Sequence, residues 1–142
     1  MARVGLGATF NVVAAASAVT IPLTRASSVS FVSFEADGTT IATITEVDST
    51  GVNSEQALDV TNNPFKSPGV GGTWTALAEQ DDTLDLADDT TNDTMVFSVH
   101  GSQLSDGYDS VQVSVDGGVV MAILHGLYEQ KDPPNLTSSL TA

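Results

Sequence analysis

The chain has no cysteine, one tryptophan and only four basic residues, Arg3, Arg25, Lys66 and Lys131, in 142 positions. Without cysteine there is neither a disulfide framework nor a thiolate metal centre. Four cations are too few to neutralise a nucleic-acid backbone or to draw the chain onto anionic lipid, so neither nucleic acid nor membrane is an expected partner. No apolar run reaches the ~20 residues that a spanning helix requires. Glu, Lys, Arg and Leu are also too sparse for a helical bundle.

Gly, Thr, Ser, Val and Asp are abundant, a mixture that suits short strands and turns. Eighteen acids set a formal charge of −14. A surface so charged repels its own copies, so any assembly must be held by packing or by opposing charges and should respond to salt. The length fits a single domain with one core. The expected fold is an all-β sandwich, Ig-like or jelly-roll-like, over residues 21–131. Residues 1–20 are expected as an arm or edge segment and residues 132–142 as an extended tail.

The densest pattern runs from Asp93 to Leu127. Met95, Phe97 and Val99 alternate on one face of a first strand, and Val111, Val113 and Val115 on one face of a second. The third run, Val119 to Leu124, is apolar at every position and predicts a central strand covered on both sides. Asp116 and Gly117 supply the chemistry of a tight hairpin between the second and third runs. A similar hairpin is predicted upstream, with Ser28 to Phe34 and Thr40 to Val47 joined at Asp37-Gly38.

The remaining segments are less regular. Near the N-terminus, Gly5, Gly7, Thr9 and Asn11 interrupt what would be the apolar core of a signal peptide, so extended segments ending near Pro22 are expected instead. Residues 54–72 predict a long loop with Phe65 and Lys66 as a contact tip, an apolar residue beside a rare cation. Trp74 is expected in the core, where large aromatics normally pack. Glu79 to Asp93 holds seven acids and no base. It lacks the calcium-loop spacing and reads as a solvated connection, with Leu84 and Leu86 on a short edge strand.

His100 and His125 are the only histidines. Neither sits in a nucleophile or zinc motif, so no catalytic residue, metal or cofactor is expected. Pro133 and Pro134 force an extended exit from the sheet.

Taken in order, GTWTALA, then VFSVHGSQLSDGYDSVQVSV, then AILHGLYEQKDPPNL resemble a group of small structural proteins of tailed bacteriophages. The likeness spans roughly the last half of the chain. It implies a virion component with an accessory or decoration role on a capsid lattice; joined to the small, acidic, cofactor-free composition, the expectation is a protein of the capsid exterior that stabilises the shell by bridging major capsid protein subunits, as a homotrimer or other symmetric homo-oligomer. Carried over by position, Leu104, Asp106, Gly107 and Tyr108 would form a structural turn, and Pro134, Asn135 and Leu136 a docking arm that continues from Pro133. The alternatives are a tail or head-to-tail connector subunit, and a host-surface or glycan-binding module.

Overall fold

The computed structural model describes residues 12–14, 19–34, 41–59, 61, 64–68, 72–85, 93–115 and 118–126. It is a two-sheet β-sandwich built from β1 (Val12–Ala14), β2 (Val19–Pro22), β3 (Ser28–Phe34), β4 (Ile41–Val47), β5 (Gln56–Ala57), β6 (Phe65–Pro68), β7 (Thr75–Ala76), β8 (Thr83–Asp85), β9 (Asp93–His100), β10 (Ser110–Val115) and β11 (Val119–His125). All pairings among the described strands are antiparallel. The only helical turn among the described residues is a short 3-10 turn, Gly101–Gln103.

One sheet has six strands in the order β1-β11-β3-β9-β6-β7; the other runs β2-β10-β4-β5, with β8 also paired to β4. The long strands alternate, and the inward residues of the two sheets meet in one core. In the six-stranded sheet the rows Val29–Val99–Leu124 and Phe31–Phe97–Ala122 point inward. Ile21, Ala42, Ile44, Val111 and Val113 meet them from the other sheet. Phe31 and Phe97 stack with ring centroids 5.1 Å apart, within the range where aromatic pairs gain beyond plain area burial.

Neither expected hairpin is observed as a pair of adjacent strands. β3 lies in the six-stranded sheet while β4 lies in the other, and β10 and β11 are likewise separated. Period-two alternation is satisfied equally by two strands side by side and by two strands facing each other across a core. Even the short link from Val115 to Val119 can span the ~10 Å between packed sheets. Asp37, Gly38, Asp116 and Gly117 themselves lie outside the described residues.

The expectation for β11 also needs correcting. It is an interior strand between β1 and β3, but only Val120, Ala122 and Leu124 are buried; Met121 and Ile123 are partly exposed and Val119 is 54% exposed. No layer covers its outer side among the described residues. The expected loop over 54–72 contains two strands, β5 and β6. Trp74 is half exposed just before β7 rather than in the core. Leu84 does sit on a short strand, with its side chain fully buried.

Candidate functional site: an acid-free outer sheet face

The register fixes which side chains stand on the outer face of the six-stranded sheet. Met121, Val32, Val96, Phe65 and Ala76 are successive cross-strand partners, forming an apolar row from β11 to β7. Val119 and Phe34 pair on one flank of that row, and Val12 and Ile123 on the other. Phe34 and Phe65 are each 43% exposed and Val12 is 46% exposed. Such side chains normally pay for their exposure with a partner when they form a contiguous patch.

None of the outward positions on β3, β6, β9 and β11 carries an acid. They read Ser28, Ser30, Val32 and Phe34 on β3, and Thr94, Val96, Ser98 and His100 on β9. Val119, Met121, Ile123 and His125 follow on β11, and Phe65 and Ser67 on β6. What sets this face apart is its apolar row rather than the missing charge alone. The outer face of the second sheet differs in kind, being lined by Thr20, Thr43, Thr45, Gln112 and Ser114.

The two histidines flank Ser28 at one end of the apolar face. His125 Nε2 lies 2.8 Å from Ser30 Oγ, which is 2.7 Å from Ser98 Oγ. A histidine beside a serine invites comparison with a nucleophile and its base. Here the serine stands in interior strand β3, whose backbone pairs on both sides, so among the described residues that strand offers no spare N–H pair for an oxyanion. Among the described residues no three histidine or acid side chains gather as a metal site.

The expected turn residues lie at one end of the sandwich. Gly107 has φ +92°, a left-handed conformation that favours glycine, and a Cβ there would come within 2.8 Å of Asn53 Nδ2. Leu104 packs against the core, Asp106 is exposed, and Tyr108 donates its hydroxyl to the Ser54 carbonyl at 2.8 Å. This turn is tied to the 48–54 loop. Asp48 Oδ1 accepts the Thr50 N–H and hydroxyl, and its Oδ2 accepts the Asn53 N–H and Nδ2. Those bonds hold the Asp48 carboxyl down to about 2, the Thr50 hydroxyl contributing most. At Asp109, burial pushes upward, but hydrogen bonds from Ser49 and Ser110 outweigh it and the carboxyl falls below its usual value.

Sequence reasoning missed Glu46. It is fully buried, with Oε2 accepting Gln56 Nε2 at 2.8 Å and Oε1 accepting the Ser105 N–H at 3.1 Å. Its inward parity with Ala42 and Ile44 was the available signal.

Of the expected contact residues, Phe65 stands in the apolar row, on a strand rather than a loop tip. Lys66, opposite Met95, faces the other side. The structure therefore separates this pair. Pro133, Pro134, Asn135 and Leu136 lie outside the described residues. An open groove of about 470 Å³ lies between the 23–27 segment and the 101–109 turn, lined by Leu23, Ala26, Leu104, Tyr108 and Asp109 among others. Its one carboxylate, Asp109, is already engaged by Ser49 and Ser110. No family model, curated protein or solved structure matches this chain.

Proposed function

We propose that this chain is a non-catalytic structural protein of a tailed-phage particle, seated on the capsid exterior, where it stabilises the shell by bridging major capsid subunits. The observation that supports it best is the apolar, acid-free face on a body of charge −14. A side chain set of that kind serves contact between the protein surfaces of an assembly, a neighbouring copy or the shell itself, and the Ser30–His125 pair beside it stands on an interior strand whose backbone is paired on both sides. The ordered resemblance across the last half of the chain supplies the phage setting. Bridging needs only modest affinity at each site, because a lattice engages many copies and must lose several contacts together to fail.

Titration of purified protein onto heads that lack it tests this reading. Binding should saturate at a fixed ratio to the major capsid protein and raise the temperature at which heads rupture. Failure to bind heads, or co-purification with tails alone, contradicts it. The half-exposed Trp74 favours one second reading, a glycan-binding module. A glycan array with no hits removes that alternative.

A further inference from the structure

We infer that the outer face of the six-stranded sheet is where a second copy of this chain docks, sheet against sheet about a twofold axis. This deepens the assembly reading above, and it is tested without any head, so the two can fail separately.

Charge selects the occupant. A basic partner, which a chain of −14 attracts, finds no carboxylate to pair with on this face and would bind the acidic surfaces instead. What fits a neutral apolar face is another neutral apolar face, and the chain itself supplies one. A twofold axis through the row Met121–Val32–Val96–Phe65–Ala76 lays it across its own copy, as isologous interfaces require. Face-to-face sheets pack ~10 Å apart with their strands roughly aligned, which lets Phe34, Phe65 and Val119 interdigitate. The strand positions that make up the face put no acid on the contact, so the two like-charged bodies meet where their repulsion is weak.

The dimension is adequate. Six strands at ~4.8 Å spacing and ~20 Å along β3 give a footprint of about 500 Å² per copy, towards the small end of specific interfaces. Association should therefore be measurable rather than permanent. Screening weakens repulsion between the acidic bodies while leaving apolar packing intact, so salt should tighten the dimer.

Sedimentation equilibrium of the full chain tests this. The dimer constant should tighten about tenfold between roughly 50 mM and 500 mM NaCl. Phe34→Glu and Phe65→Glu, at exposed positions, should each give a monomer with unchanged circular dichroism and melting temperature, whereas Val52→Glu, at an 82% exposed site on the 48–54 loop, should still dimerise. Four results overturn the inference: a monomer at every salt concentration, a dimer indifferent to both face variants, a dimer that salt weakens, or a monomer that the face variants destabilise because its own chain covers the face.

Discussion

The fully buried carboxylate of Glu46 accepts the backbone N–H of Ser105, joining the end of β4 to the turn that leads into β10. Its other oxygen takes Gln56 Nε2, so one side chain ties three segments together. Glu46→Ala should leave the part-buried Ser105 N–H without its acceptor, while the exposed Gln56 amide turns to water, and lower unfolding free energy by roughly 1–3 kcal/mol. Glu46→Gln, which keeps one acceptor oxygen, should lose less. Urea titration of the two variants gives the comparison.

The turn at Gly107 and Tyr108 makes a second prediction about the same end. Gly107→Ala imposes a side chain on a positive φ and against Asn53, and should cost about 1–3 kcal/mol. Tyr108→Phe removes only the bond to Ser54 and should cost about 0.5–1.5 kcal/mol. Denaturant midpoints read both. Hydrogen exchange at the Asn53 amide should rise in Gly107→Ala, because that amide's acceptor, Asp48, belongs to the same clamp.

Acid should unfold the protein partly through Asp48. Its carboxyl lies at about 2 in the folded chain against 3.8 when unperturbed, and that of Asp109 is also lowered. Below the unperturbed value the unfolded chain takes up protons that the folded chain still refuses. The stabilisation is therefore complete above pH ~4 and drains away as pH falls towards 2. Melting temperatures of the wild type and Asp48→Asn should converge over that interval. A constant gap between the two curves would contradict the assignment.

Trp74 is the sole tryptophan and half exposed, so it reports on its surroundings without ambiguity. Acrylamide should quench its emission readily in dilute, low-salt protein. Iodide should quench less, because the −14 body repels anions. A strongly protected, blue emission in the monomer would mean that the indole is packed.

The strands were legible in the sequence wherever alternation was clean. Met95, Phe97 and Val99, and Val111 and Val113, face inward as their spacing predicts. Which strands pair was not legible, because Phe31 and Ile44 satisfy the same period whether their strands lie side by side or face each other across a core. The outer face was illegible for a related reason. Met121 and Ile123 read as buried because they are apolar, and only the register with Val32 and Ser30 shows that they stand on the outside. Glu46 escaped notice because an acid in an alternating run reads as solvent-facing until its parity is compared with Ala42 and Ile44.

The most direct measurement is a density map of the intact phage head. The account predicts sandwich-shaped density on the outer surface, in symmetry-related copies that each touch more than one major capsid subunit. Density for this chain confined to the tail, or particles that do not contain it, would contradict the account.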